Sequence, residues 1–313
     1  MVHSLQAARV DNVTCVTFTP SLHSVHVRGH FACVAQVPSC CVERTLRASP
    51  AFGMLCTVPA DAIHDYRTRG YAVLRGCIAP AQLEAARKMV GEVSALAGAI
   101  HVHELLPTGE VALARTEDFA TRHDGMAQLL REFGGVAEAL AGEPVHLLKE
   151  KVHYRPPGSG GYRPHQDDYT AIAAQRWRSR FVTPILMAAL DDATPQNGAP
   201  ELAPLGWVGR RLATPDALAR LPFVSVPLRR GDVLVYDNYM PHRSAQNRAR
   251  TSRGTLFAVF SPAAAGDLRT AYYDAEREGR RNQAAGALGG RANVYWEGAP
   301  AFNATRQCDS EVT

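Results

Sequence analysis

Two stretches decide how this chain is read: GYRPHQDDY at residues 161–169 and GDVLVYDNYMPHRSAQN at residues 231–247. On an extended backbone alternate side chains face the same way. His165 and Asp167 therefore project together, and Gln166 points elsewhere. The second stretch reads as a strand and a turn that present His242. Two histidines and one carboxylate can hold one face of an octahedral iron(II) and leave the opposite face open. Thiolates would instead favour zinc or clusters, and neither stretch has a cysteine nearby. Asp168 is the competing carboxylate, but the one-residue gap to His165 favours Asp167, and Asp168 reads as a cap on the following turn.

Taken alone, neither histidine is decisive. With 12 histidines and 30 acidic residues among 313, chance supplies about one His-X-acid triplet. The plain alternative for His165 is a loop histidine bonded to a neighbouring acid, and for His242 a turn or core histidine. The joint arrangement carries more. Arg253 follows His242 by eleven residues, at the entry to the run RGTLFAVF, and a guanidinium there can grip a carboxylate through two parallel hydrogen bonds. Ser244 can add a hydroxyl from the same side; its alternative role is a turn residue.

Working outward, short β-prone runs surround both stretches: His146–Tyr154, Val182–Leu190, Val224–Leu228, Val233–Tyr236 and Thr255–Phe260, separated by Gly, Pro, Asn and Asp. Helical patterns precede them. Asp61–Arg69 is ended by Gly70 and followed by a strand, Tyr71–Leu74. A helix from Pro80 to about Ala97 puts Leu83, Ala86, Val90, Val93 and Ala97 on one face, with Glu84 and Lys88 paired one turn apart. Another, Gly125–Ala141, carries Leu129, Leu130, Phe133, Val136 and Leu140, and a last one covers Leu268–Glu278. Several strands after leading helices predict a mainly β protein with flanking α-helices, a double-sheet jelly roll of cupin-like type. Pro184 implies that its strand starts there or lies at an edge.

Composition sets the outer bounds. Apolar residues make up 46% and charged residues 20%, ordinary for a globular chain with a sizeable core. A net charge of +4, with scattered Lys and Arg, argues against nucleic-acid binding. No apolar run reaches the ~18 residues of a membrane span, and the N-terminus lacks a signal-peptide layout, so the expected location is cytoplasmic. Cys15, Cys33, Cys40, Cys41 and Cys56 cluster early, with no paired CxxC spacing. Residues 1–56 are read as a poorly ordered or misassigned extension, 57–300 as the functional domain and 301–313 as a tail.

Four stretches together, LLKEKVHYRPPGSGGYRPHQD, LDDATPQNGAPELAP, GDVLVYDNYMPHRSAQNRARTSRGTLFAVF and AGDLRTAYYD, resemble the phytanoyl-CoA dioxygenase family in order and spacing. The resemblance spans about residues 57–280. It implies a double-stranded β-helix, with His165, Asp167 and His242 as iron(II) ligands and Arg253, assisted by Ser244, at the distal carboxylate of 2-oxoglutarate. O2 would be the other cosubstrate, and the products succinate, CO2 and a hydroxylated small molecule. Asp167 fills the position that related halogenases leave small for chloride, which favours hydroxylation. Relatives use the face bearing Lys149, Lys151 and His153 to touch 2-oxoglutarate, and Lys151 is carried over on that basis against the alternative of a solvated strand face. Arg115, in ARTEDF, is a second candidate for the same cosubstrate. The segment Ala-Pro-Leu-Gly-Trp at 203–207 departs from the family's usual Pro-Gly-Ser-His.

Downstream of the metal motif, Tyr169, Arg176, Trp177, Arg178 and Arg180 read either as a lid for an anionic substrate or as a solvated basic helix. Two other classes stay open at this stage: a jelly-roll zinc hydrolase or isomerase with the same ligands, and a non-catalytic ligand-binding member of the family. The expected partner is a small-molecule substrate, with no nucleic acid and no membrane, and the sequence leaves the oligomeric state open.

Overall fold

A computed structural model describes residues 55–167, 182–207, 212–284 and 294–295, together with the pairs 9–10 and 13–14. The chain divides into two compact units, 1–47 and 48–313. In the first, β1 (Arg9–Val10) pairs antiparallel with β2 (Val13–Thr14). Everything below concerns the second.

The leading helices form where their sequences start and stop them. α1 (Ala60–Arg69) follows Pro59, carries Asp61 in its first turn and Arg67 and Arg69 in its last, and ends at Gly70 with φ 78°. That charge order complements the helix dipole. The left-handed residue lets the Gly70 N–H reach the Tyr66 carbonyl, and a side chain there would strike the Trp207 indole. α2 (Pro80–Val93) buries Leu83, Ala86, Met89 and Val93. It ends four residues before the expected Ala97, because the Ser94 hydroxyl donates to the Gly91 carbonyl in competition with the helix ladder. Val90 is only partly buried, and Lys88 approaches Glu92, at 3.9 Å, rather than Glu84. α3 (Asp124–Ala141) is capped by His123, whose Nδ1 accepts from the Met126 N–H, and is closed by Gly142.

The strands build two sheets. β3 (Tyr71–Leu74), β4 (Ile100–Leu105), β5 (Val111–Glu117), β6 (Val145–His153), β8 (Pro184–Ala189), β11 (Val233–Asp237) and β13 (Thr255–Pro262) form a seven-stranded sheet in the order β3-β11-β8-β13-β6-β5-β4. β7 (Gly161–His165), β9 (Pro200–Leu202), β10 (Val224–Ser225), β12 (His242–Ser244) and β14 (Val294–Tyr295) form a five-stranded sheet in the order β10-β9-β12-β7-β14. Every pairing is antiparallel. This is the jelly-roll architecture the sequence pattern predicts.

The large sheet is buried on both faces, which is why β8 and β13 read as continuous apolar runs. One face, with Leu186, Ala188, Val233, Val235, Leu256 and Ala258, packs under Leu83, Phe133 and Leu140 of the helices. The other face, with Ile185, Met187, Leu234, Tyr236, Phe257 and Val259, meets Leu202 of the small sheet. Along each strand the two sets alternate, as pleating requires.

β8 starts at Pro184, one of the two readings that residue allowed, and lies centrally between β11 and β13. Other expectations needed correction. The run Val224–Leu228 gives only the exposed pair Val224–Ser225, because Pro227 cannot donate to a ladder; Leu228 returns to a single bridge with Ala193. The hairpin β4–β5 was not anticipated. α4 (Pro215–Ala219) is a short helix capped by Thr214, and α5 (Arg269–Ala284) follows β13. Cys56 and Cys77 are disulfide-bonded, tying the segment before α1 to the turn before α2. No helix among the described residues is long and apolar enough to cross a membrane.

Candidate active site

His165 ends β7 and His242 begins β12, and the two are direct cross-strand partners. Their rings lie 4.1 Å apart. Asp167 follows β7, held where its N–H donates to the Asn238 carbonyl at 3.1 Å. The Asn238 side chain in turn accepts from the Thr183 N–H, so one residue holds the backbone at both Asp167 and Thr183. One ligand atom from each of His165, Asp167 and His242 comes within 4.8 Å of the others, a grouping that could hold a metal ion.

The histidine orientations are set by backbone carbonyls. His165 Nδ1 lies 2.7 Å from Arg163 O, and His242 Nδ1 lies 2.9 Å from Met240 O. A carbonyl only accepts, so both Nδ1 atoms carry the proton and both Nε2 atoms present lone pairs. His242 Nε2 stands 3.8 Å from Asp167 Oδ2. Burial, then the adjacent His242, lowers His165 to about 3. Burial also lowers His242, against the pull of Asp167. For Asp167 burial pushes the carboxyl up, but His242, Lys149 and Lys151 outweigh it and hold the group well below the usual carboxylate range. Two neutral imidazoles and one carboxylate at neutral pH are the protonation states a divalent cation needs.

The turn before β12 is braced on all sides. The Trp207 indole N–H donates to both oxygens of Asp237, at 2.8 and 2.9 Å, and the Tyr239 N–H donates to the same carboxylate. Gln166 spans the gap between the two motifs, donating to Tyr239 O and accepting from the Ala213 N–H. Trp207, in the segment that departs from the family pattern, thus supports the backbone that delivers His242.

Two residues along β12 from His242, the chemistry changes sign. Arg253 is 3% exposed, and its guanidinium donates to Gly198 O at 2.6 Å. Its Nε has no hydrogen-bond partner. Arg155, also 3% exposed, donates to Ser244 Oγ at 3.3 Å and to Ala245 O at 2.5 Å. Burial first, and then Arg155, lowers Arg253 to about 9. Two buried guanidiniums beside a serine hydroxyl make a place built for an anion. His153 adds to it. It is stacked on Tyr162, tilted against Phe257 and pushed by burial well below its ordinary value, and its Nε2 lacks a partner. The orphaned Arg253 Nε and His153 Nε2 fit a carboxylate ligand.

Gly198 makes this corner possible. It has φ 76°, and a Cβ there would sit 2.3 Å from Ala245 O and 2.6 Å from the Arg155 guanidinium. Arg155 itself has φ 39°, with its carbonyl bonded by Asn247 and by the Arg253 N–H.

The remaining expected residues lie on the inward face of the large sheet. Lys151 has its ammonium over the Phe257 ring at 4.7 Å and is lowered to about 8, chiefly by burial and then by Lys149. Arg115, the cross-strand partner of His153, is ion-paired to Glu117 at 2.6 Å. Burial pulls Arg115 down, but the Glu117 carboxylate overrides it and keeps the guanidinium charged. Lys149 lies on the same face, its ammonium over the Tyr272 ring of α5 at 5.2 Å. Sequence reading missed Arg155, Tyr162 and Tyr272. Arg163 is exposed, and Asp168, Tyr169, Arg176, Trp177, Arg178 and Arg180 lie outside the described residues.

The model of the phytanoyl-CoA dioxygenase family matches residues 66–255. A methylphosphonate hydroxylase of Gimesia maris is 35% identical over 239 residues, covering 72% of this chain and 88% of the relative. A 2-aminoethylphosphonate dioxygenase of an uncultured bacterium is 29% identical over 186 residues, covering 55% of this chain and 67% of the relative. Among solved structures, EctD from S. alaskensis with 2-oxoglutarate and 5-hydroxyectoine aligns with a TM-score of 0.56 at 19% identity, over 70% of this chain and 83% of that one. The epimerase SnoN from nogalamycin biosynthesis aligns with a TM-score of 0.51 at 21% identity, over 65% and 82%. These two share the fold. With a family match over most of the described domain and a relative of this identity, the chain belongs to the phytanoyl-CoA dioxygenase family and is an enzyme of the 2-oxoglutarate-dependent dioxygenase type.

Proposed function

We propose that this protein is an iron(II)- and 2-oxoglutarate-dependent hydroxylase acting on a C–H bond of a small anionic substrate of the phosphonate type. One observation carries the reading. Two Nε2 lone pairs and the Asp167 carboxylate converge within 4.8 Å, and Ser244 follows at the next same-side position of β12, where the buried Arg155 donates to it and Arg253 lies close to Arg155. Two strand residues span about 7 Å, close to the length of a five-carbon dicarboxylate. The phosphonate class rests on the two relatives named for phosphonates.

His165, Asp167 and His242 would hold the iron through three fixed donors on one side. Arg253 would receive the distal carboxylate of 2-oxoglutarate, with Ser244 as a hydroxyl donor and Arg155 keeping that hydroxyl oriented. Tyr162, His153 and Phe257 form an aromatic wall beside this path and exclude water from it. Lys151 and Arg115 supply further positive charge along the same face. When bound, iron(II) with 2-oxoglutarate and O2 supplies the oxidising power, releasing succinate and CO2 as hydroxyl is added to carbon. Lys151, Arg253 and the metal ligands position and shield; no side chain has to remove a proton from the substrate carbon. The oxygenase unit proposed is 57–300.

Anaerobic titration of the iron(II)-loaded protein with 2-oxoglutarate tests this. The expected result is a weak visible absorption from the chelate, absent in His242→Ala and Asp167→Ala. In air, methylphosphonate should stimulate succinate formation. A folded protein that takes up no iron(II) and shows no such band sinks the proposal.

A further inference from the structure

The register of the large sheet sorts the side chains of its inward face into rows. Thr255, two residues beyond Arg253, shares a row with Ala189. Phe257, Met187 and Leu234 share the next. Val259, Ile185 and Tyr236 share a third. Rows two residues apart are separated by about 7 Å, so Tyr236 lies about 13 Å along the strands from the row beside Arg253. A cosubstrate anchored at Arg253 therefore comes to the three metal-binding side chains from one end of the ladder, and Tyr236 meets them at the other.

That meeting is a direct contact. The Tyr236 ring lies 4.9 Å from the ring of His242, which also meets His165 at 4.1 Å. Tyr236 is 3% exposed and belongs to the inward core with Ile185, Met187 and Leu234. Packing there asks only for a ring, which a phenylalanine would supply. The hydroxyl is the unexplained part. A buried tyrosine hydroxyl ordinarily finds a partner. Tyr273, just as buried, does so: it donates to the Glu150 carbonyl and accepts from the Asp118 and Glu150 N–H groups. The Tyr236 hydroxyl bonds to none of the described residues, and it is not one of the polar atoms sealed off from any approach. A polar group held in a core without a partner costs stability, and one that stays open to contact can recover that cost from a ligand.

We propose that the Tyr236 hydroxyl donates to the anionic group of the substrate, on the side of the metal-binding side chains away from Arg253. The assignment rests on the functional reading above and gives a task to a residue which that reading leaves without one. A phenol suits the task. It offers one O–H from a ring already held against His242, and a hydrogen bond to an ionised oxygen is stronger than one between neutral groups.

The test uses the full-length protein and Tyr236→Phe, which keeps the ring against His242 and removes the hydroxyl. Free of metal and ligands, the variant should melt no lower than wild type, because the lost hydroxyl has no protein partner. In the iron(II)-loaded protein, kept anaerobic, the 2-oxoglutarate chelate band is titrated first and its change on adding methylphosphonate second. The 2-oxoglutarate midpoint should stay within about twofold of wild type while the methylphosphonate midpoint rises about tenfold, a loss of about 1.4 kcal/mol. An unchanged methylphosphonate midpoint overturns the assignment and leaves the hydroxylase reading intact. Equal weakening of both ligands overturns it too, since the hydroxyl would then serve the iron or the cosubstrate. A lower melting point for the ligand-free variant would reveal a structural partner, with the same consequence. So would a wild-type chelate that methylphosphonate and 2-aminoethylphosphonate both fail to perturb. Absence of the chelate band in wild type instead removes the functional reading on which the assignment rests.

Discussion

Arg253 and Arg155 sit together at Gly198 and Ser244, and that defines what each can be asked to do. Arg253 has a fork of donors, one arm of it already used on Gly198 O. Replacing it by lysine keeps the charge and removes the fork. For Arg253→Lys the apparent KM for 2-oxoglutarate should rise about 10- to 100-fold, since a hydrogen bond to a charged group contributes about 1.5–3 kcal/mol. Steady-state kinetics with varied 2-oxoglutarate decide it, and an unchanged KM removes Arg253 from the site. Lys151 offers a pH signature. Its folded value, about 8, lies below the 10.5 of the free side chain, so between these the unfolded chain binds a proton that the folded one does not. Stability from this group therefore increases as pH rises through that window. Denaturation of wild type and Lys151→Met at pH 8 and pH 10.5 should show the wild type gaining on the variant, and a constant difference would refute it. The triad, Arg253 and Ser244 were legible as residues because their spacing survives in one dimension. Arg155 was not: its φ of 39° and its reach to Ser244 are products of the fold, and nothing around PPG announces them.

The turn from Thr194 to Gly198 shows how an element is fixed by its close contacts. The Thr194 hydroxyl accepts from the Asn197 N–H, the Asn197 side chain accepts from the Thr194 N–H, and Gly198 closes the turn against Arg155 and Ala245. Gly198→Ala should cost about 1–3 kcal/mol through the strained left-handed backbone alone. Because the new methyl displaces Arg155 or Ala245, 2-oxoglutarate binding should weaken as well. Thermal melts and chelate titration on the same preparation check both, and a variant with wild-type cosubstrate affinity would separate this turn from the site. Gly70 marked the end of α1, and periodicity exposed α2 and α3 because each has a clean apolar stripe. It missed β4 and β5 because their inward positions include Glu104, Arg115 and Glu117, polar side chains that hide the alternation of a buried strand. The same side chains put charge on the inward face of the large sheet.

For the molecule as a whole, α5 is fastened to the sheet by charge. Glu150 is fully buried and accepts from the Phe119 and Ala120 N–H groups and from Arg269, while Arg269 and Arg277 both reach Asp118. Tyr273 donates to Glu150 O. Arg269→Met would leave Glu150 without its cation, and losing one partner of a buried pair costs about 3–5 kcal/mol. Urea unfolding should show it; a loss below about 1 kcal/mol would mean that the cluster is a solvated pair of ordinary strength. The jelly roll was readable from strand runs and punctuation, whereas this fastening joins positions 118, 150 and 269, which no local pattern links. The facing histidines carry a final consequence. His165 and His242 stand opposite each other on neighbouring strands of the smaller sheet, so an ion held between them acts as a rivet through β7 and β12. The seven-stranded sheet has its own two-sided core and needs no such fastener. Chelating the metal should therefore speed amide exchange at Tyr162–His165 and His242–Ser244 while Ile185–Ala189 and Leu256–Phe260 stay protected, so that losing the ion loosens one wall of the barrel and leaves the other standing.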